Sequence, residues 1–496
     1  MEVVSSLLHG FSILFQPEYL LFCLLGVCLG QLVGALPGIG PSAGIAILLP
    51  LTFGADPIAS IVMFAGIYYG AQYGGTITSV LVSIPGESSS VMTSIDGYQL
   101  AMKGRAGAAL GMAAIASFIA GTLGTIGLML VAPALAQMAL AFGPPEYFAL
   151  VLLGLLSLAL VGGDLVKGMM AGVAGLMLAT IGVDPQVGST RYMFGQVWLL
   201  DGVEFLVLAV ALFGVGEVLA SVERDPSASR VDAKIDKVLP TRADWVISKW
   251  ATLRGSAIGF LIGVLPGAGA TIATFIAYAV EKKVSRHPEK FGTGVMEAVA
   301  GPEAANNSAS SGAMVPMLAL GVPGSNTTAV LLGALVMFGL QPGPQLFERA
   351  PDLVWTIIAS MFLGNLILLL LNLPLAGMFA HLLRVPYAVL YPIILALCIA
   401  GVFAAQNSMD DLWMMAAFGV AGYVLKKTEF PVAPLILGLV LGPLLENSLR
   451  QSMQLSHGSA WIFFERPVSL ALLTVIAIAL LLPLCGRAVR LARRAA

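Results

Sequence analysis

The sequence predicts an all-α polytopic membrane protein, and three observations carry that prediction. Only 10% of the 496 residues are charged, against about 25% in a typical soluble domain. The hydrophobic residues make up 58% of the chain and come in long runs, such as 123–140, 147–162 and 205–216, the scale of lipid-facing segments. Gly is abundant at 56 residues, and with Ala and Ser it lets membrane helices approach closely. A soluble enzyme is excluded by the lack of surface charge. The net charge of −2, with no dominant basic face, excludes a nucleic-acid binder. Abundant Leu, Ile, Val, Met and Phe exclude disorder.

The N-terminal segment MEVVSSLLHGFSILFQ lacks a positive region and a cleavage site, so it reads as an uncleaved approach to the first helix. Apolar material then fills two blocks, about 14–220 and 252–484. Residues 1–220 are expected to form a first transmembrane repeat and 251–496 a second. The polar linker 221–250 holds Arg224, Arg230, Lys234, Lys237, Arg242 and Lys249. Basic loops stay cytoplasmic, so the linker is placed there. So is the C-terminal tail with Arg487, Arg490, Arg493 and Arg494. In all, about ten to twelve membrane elements are expected.

Lys282, Lys283, Arg286 and Lys290 form a third basic cluster. With basic flanks on both sides, residues 255–280 read as a re-entrant hairpin turning at Pro266-Gly267. A single kinked helix is the alternative. Pro removes a donor and Gly relaxes the backbone, and broken backbone at membrane depth survives only inside protein or beside a cavity. Cys23, Cys28, Cys398 and Cys485 form no CxxC pair, and the four histidines have no metal-binding spacing.

Two motifs recur in the same order. Gly34-Ala-Leu-Pro37-Gly38-Ile-Gly40 matches Gly263-Val-Leu-Pro266-Gly267-Ala-Gly269, 229 residues on. Ser83-Ile-Pro-Gly86-Glu87-Ser88-Ser89 matches Gly321-Val-Pro-Gly324-Ser325-Asn326-Thr327, 238 residues on. Together they indicate two homologous halves with interrupted helices. That is the pattern of secondary transporters, in which inverted repeats are the better expectation.

The candidate substrate- or ion-binding residues follow from these breaks. A broken helix exposes amides for anions at one end and carbonyls for cations at the other. Pro37, Gly38, Gly40 and Ser42 form one group, and Pro266, Gly267, Gly269 and Thr271 its match. Gly86, Glu87, Ser88 and Ser89 align with Gly324, Ser325, Asn326 and Thr327 as the second pair. Asn306, Asn307 and Ser308, with the nearby Glu303, complete the set. Neutral hydroxyls and amides are costly in a membrane unless paired or used. They clasp a carboxylate or complete a sodium shell, and a candidate Na+ site is placed near Asn306 and Asn307. Interhelical hydrogen bonding is the competing role. Glu87 and Glu303 are the better candidates for cation or proton coupling; Asp96 reads as a loop end. No catalytic set and no Walker sequence is present, so an enzyme and a self-powered pump are not expected.

With these motifs in hand, the chain resembles the large membrane subunit of the tripartite tricarboxylate transporters. The matching stretches are GALPGIGPSAGIAILLPLTF (34–53), YYGAQYGGTITSVLVSIPGESSSVMTSIDGYQLAMKGRAGAAL (68–110), GFLIGVLPGAGATIATF (259–275) and GPEAANNSASSGAMVPMLALGVPGSNTTAVLLGAL (301–335). The resemblance implies a multi-pass bacterial inner-membrane permease for citrate or another tri- or dicarboxylate. It implies a small four-helix membrane subunit and a periplasmic solute-binding protein as partners. It also implies H+ or Na+ as coupling ion and no other cofactor. An anion channel and a non-transporting scaffold are the alternatives.

Overall fold

The computed structural model describes residues 2–36, 39–161, 164–184, 186–223, 238–267, 269–382 and 387–495. Within these, the side chains of 2, 161, 375–377, 379–382, 387–388, 406 and 482–495 are not described. Pro37, Gly38 and most of the basic linker therefore lie outside the described residues, as do the side chains of the basic C-terminal tail.

The chain is almost wholly helical. Among the described residues, four helices are long and apolar enough to cross a membrane: Pro17–Ala35, Ala106–Ala139, Phe205–Val222 and Pro351–Pro374. Seven shorter apolar helices of 10–17 residues accompany them among the described residues. The first half opens with α1 (Glu2–Leu14) and α2 (Pro17–Ala35). After the first Pro-Gly break come α3 (Pro41–Leu48) and α4 (Pro57–Val82). Pro starts both α3 and α4, where its missing N–H costs nothing, and Asp56 caps α4 by accepting from the Ala59 N–H at 3.0 Å. A 3-10 turn (Ser88–Ser90) leads into α5 (Val91–Met102), followed by α6 (Ala106–Ala139), α7 (Pro144–Val161) and α8 (Leu165–Leu178). A two-stranded hairpin, β1 (Gly182–Val183) with β2 (Thr190–Arg191), precedes α9 (Phe205–Ala209). A π turn joins α9 to α10 (Gly216–Val222).

The second half repeats the plan with α11 (Arg242–Val264), α12 (Gly269–Val284), α13 (Glu297–Leu320) and α14 (Asn326–Met337). Then come α15 (Gln345–Arg349), α16 (Pro351–Leu382), α17 (Tyr387–Gln406), α18 (Met409–Lys427), α19 (Ala433–Leu455), α20 (Ile462–Glu465) and α21 (Pro467–Ala495). The segment read as a hairpin is one in shape: α11 and α12 fold back on each other about Pro266-Gly267. The Arg254 guanidinium donates to the Glu281 carboxylate at 2.6 and 2.8 Å, joining the two arms.

The packing recurs at the same offsets as the motifs. Gly26, Gly30 and Gly34 of α2 lie against Met63, Ile67 and Ala71 of α4. A Cβ at each would fall 2.3, 2.6 and 2.1 Å from the facing carbonyl oxygen. Gly255, Gly259 and Gly263 of α11 lie against Gly301, Ala305 and Ala309 of α13, with 2.2, 2.4 and 2.4 Å. The glycines are offset by 229 and their partners by 238, as in the sequence. Ser83 and Gly321, also 238 apart, end α4 and α13 in the left-handed region, at φ 57° and 71°. The halves interlock: α6 packs on α13 and α11, while α16 packs on α4, α2 and α1.

Asp96 departs from the loop end expected of it. It is buried within α5 and accepts from the N–H groups of Gly292, Gly294 and Val295 and from the Tyr278 hydroxyl. It fixes the connection between α12 and α13.

Candidate functional site

All four interrupted motifs meet at one cavity of about 450 Å³, within the range of small-molecule sites. It is lined by Gly40, Pro41 and Ser42 from the start of α3, and by Glu87, Ser88 and Ser89 from the turn leading into α5. Gly269, Ala270 and Thr271 from the start of α12 and Ser325, Asn326 and Thr327 from the start of α14 complete the rim. Four helix N-termini thus point at one space. The first N–H groups of a helix have no intrahelical acceptor, and the helix dipole adds positive potential there.

Two capping boxes build the second motif pair. Glu87 caps the Ser88–Ser90 turn, with Ser90 at the third position. Ser325 caps α14, with Thr328 at the third. These are equivalent positions, so the two halves use the same local fold with an acid in one and a hydroxyl in the other. Each cap is met by a side chain from the long helix of the opposite half. The Asn306 Nδ2 donates to Glu87 Oε1 at 3.2 Å, and Tyr68 OH lies 3.2 Å from Ser325 Oγ. Tyr68 and Asn306 are themselves 238 apart. A further bridge joins Ser88 Oγ to Thr271 Oγ1 at 2.9 Å, tying the α5 turn to the α12 hairpin tip.

Glu87 is held by neutral groups. Its Oε1 accepts from Ser89 Oγ and Asn306, and the Gln72 amide, with its NH2 toward the carboxylate, lies against both. Behind it Glu303 is fully buried. It accepts from Thr93 Oγ1 at 2.6 Å, Thr76 Oγ1 at 2.7 Å and Ser117 Oγ at 3.4 Å, one hydroxyl each from α5, α4 and α6. Hydroxyls either donate or accept by turning, so this shell suits a carboxyl in either protonation state.

Of the residues expected from sequence, Gly40, Ser42, Gly86, Glu87, Ser88 and Ser89 line the cavity. Gly267, Gly269, Thr271, Ser325, Asn326 and Thr327 do as well. Pro266 stands in the turn beside it. Gly324 is buried against Ala313, where a Cβ would come within 2.7 Å of the backbone. Asn307 donates to Ser117 Oγ at 2.7 Å and to the Glu303 carbonyl, and Ser308 donates to the Ser256 carbonyl at 2.7 Å. Both therefore tie helices together behind the cavity. Tyr68 and Gln72, on α4 ahead of the second motif, line the cavity as well, and Tyr68 is the counterpart of Asn306. Among the described residues, no group of three or more His, Cys, Asp or Glu side chains could hold a metal ion.

Fold and cavity together define a polytopic membrane protein of the transporter kind, with broken helices meeting at a polar site. Residues 20–437 match the Tripartite tricarboxylate transporter TctA family. The chain belongs to that family, and is thus a component of a transporter built from several subunits. It is 45% identical over 477 residues to an uncharacterized 52.8 kDa protein in the TAR-I ttuC' 3' region of Agrobacterium vitis, covering 96% of this chain and 95% of that one. An uncharacterized protein in the TAR-II ttuC' 3' region of the same organism is 44% identical over 215 residues, covering 43% of this chain and 89% of that one. No solved structure matches.

Proposed function

We propose that the chain carries an organic carboxylate, citrate or another tri- or dicarboxylate, across the bacterial inner membrane, driven by a proton or sodium gradient. It receives the acid from a periplasmic binding protein and works beside a small four-helix membrane subunit. The observation that carries this reading is the convergence of four helix N-termini on one cavity rimmed by hydroxyls and amides. Amide ends and hydroxyls clasp a carboxylate without a cationic side chain. The reciprocal contacts Tyr68–Ser325 and Asn306–Glu87 support a pseudo-two-fold axis through the cavity. We take that axis to lie in the membrane plane, so that the two halves are inverted and expose the site alternately to each side. The basic linker and tail then mark the cytoplasmic side.

The test is uptake of radiolabelled citrate, malonate, tartrate and an aromatic acid into proteoliposomes holding all three components. Sodium and pH gradients are imposed separately. Accumulation of one acid that collapses with the matching ionophore supports the reading. Flux that equilibrates without regard to either gradient describes a channel and refutes it.

A further inference from the structure

Among the described residues, Glu87 is the single charged side chain lining the cavity. The groups facing it are Tyr68 and Gln72 from α4, Asn306 and the deeper Glu303 from α13, Ser89 and Ser90 from its own turn, Thr271 of α12 near Ser88, and Ser325 of α14. No Lys, Arg or His is among them. An anion site whose one charge is negative sets a problem of balance. Each helix N-terminus supplies roughly half a positive charge, so the four together supply about two. A dicarboxylate brings two negative charges and Glu87 a third, leaving about one uncompensated beside a half-buried carboxylate, where unpaired charge is disfavoured.

The local fold does not require that carboxylate. Ser325 performs the same capping with a hydroxyl: its Oγ accepts from the Thr328 N–H at 3.2 Å, and Thr328 Oγ1 accepts from the Ser325 N–H at 2.8 Å. The acid at 87 is therefore a departure from what the duplicated turn needs. Asn306 and Ser89 both donate to Oε1 and the Gln72 amide reaches both oxygens, so Oε2 holds the fewer hydrogen bonds and is the freer to take an added charge.

We propose that the cavity admits its anion only together with one compensating positive charge, a proton or a sodium ion, held at Glu87. The inference rests on the reading of the cavity as a carboxylate site. It makes Glu87 the place where substrate and gradient are linked: the anion and the cation each raise the other's affinity, and they leave together.

Tartrate binding to the full chain in lipid nanodiscs, followed by calorimetry, tests this. Tartrate keeps both carboxyls ionised between about pH 6 and 8. Proton concentration is varied at fixed sodium, then sodium at fixed pH. Wild-type affinity should rise about tenfold for each tenfold rise in one of the two cations, and the arm that responds identifies it. In Glu87→Gln the dependence on both should vanish. Glu87→Ser, which copies the cap at Ser325, should do the same and guards against a fold defect in Gln. Wild-type affinity indifferent to both cations overturns the proposal, as does dependence that survives both variants or is lost instead in Glu303→Gln. If the wild type binds neither tartrate nor citrate, the carboxylate reading itself falls.

Discussion

The duplicated glycine seams make a prediction that can be worked from distances. In Gly259→Ala the new Cβ would sit 2.4 Å from the Ala305 carbonyl oxygen and 2.8 Å from its Cα. Both are backbone atoms, so no side chain can turn aside, and α11 and α13 must separate by the better part of an ångström. A gap of that size forfeits roughly a quarter to a half of the dispersion energy along the seam. Overpacking of this kind costs about 1–3 kcal/mol. Ala is favoured over Gly in a helix by roughly 1 kcal/mol, which offsets only part. The net expectation is a loss of about 0–2 kcal/mol. Gly30→Ala, the counterpart on α2, meets Ile67 O at 2.6 Å and should behave alike.

Gly172→Ala on α8 is the control. Its nearest neighbours are Pro434 atoms at 3.9 Å, an ordinary contact, so the helix-propensity gain stands alone and stability should hold or rise by up to about 1 kcal/mol. Thermal unfolding in detergent reads the order of the three variants. The functional consequence follows from position: Ala305 adjoins Asn306, and α11 carries the hairpin tip. Separating these helices shifts both the donor to Glu87 and the hairpin turn that lines the cavity, so Gly259→Ala should also lower uptake. A Gly259→Ala protein as stable as Gly172→Ala would refute the claim that backbone contact along the seam holds the halves in shape.

Asn306→Ala removes the donor to Glu87, a hydrogen bond to an acid worth about 1.5–3 kcal/mol, so uptake should fall roughly 10- to 100-fold with assembly intact. Tyr68→Phe loses a neutral pair worth about 0.5–1.5 kcal/mol and should cost less; unchanged uptake in Asn306→Ala removes that residue from the site. At the β1–β2 hairpin, the Gln186 N–H and Arg450 hold the Asp184 carboxyl below its usual 3.8, at about 2. A depressed folded-state value means the clamp is fully present above pH 3.8 and is lost as pH falls toward 2. Hydrogen exchange in residues 182–202 should therefore rise over that window. The step should shrink in Asp184→Asn, and exchange flat with pH would count against the clamp.

Much of this architecture was legible because its cause is local. Pro and Gly break a helix wherever it runs, so Pro266-Gly267 and Pro85-Gly86 could be placed without tertiary information. Repetition then said which breaks belong together. The shell of Glu303 could not be read in the same way. Thr76, Thr93 and Ser117 reach it from three helices, and no spacing in sequence relates them. Asp96 was misread for a similar reason: Asp-Gly-Tyr near Lys103 and Arg105 is the composition of a loop end. Its partners, the N–H groups of Gly292, Gly294 and Val295, lie about two hundred residues away.

The differences between the halves now carry more information than the likenesses. A duplicated scaffold supplies helix ends, seams and caps in pairs, and the pair at positions 86 and 324 is glycine in both halves because close approach leaves no choice. Function requires the two sides of the cavity to act differently on a charged ligand, and symmetry alone cannot provide that. The places where the offset of 238 joins unlike residues are therefore where the polarity of the site is written: Glu87 against Ser325, Tyr68 against Asn306, Ala65 against Glu303. In each pair one member is a carboxyl or directly bonds one. Both acids fall on the same side of the comparison in space although they come from opposite halves, since Glu303 and Asn306 share one face of α13 one turn apart. The chain thus gathers its two acids on one side, Glu87 at the cavity and Glu303 buried behind it, and an exchange such as Glu87→Ser with Ser325→Glu would move the cavity's charge to the other half's cap while leaving every cap in place.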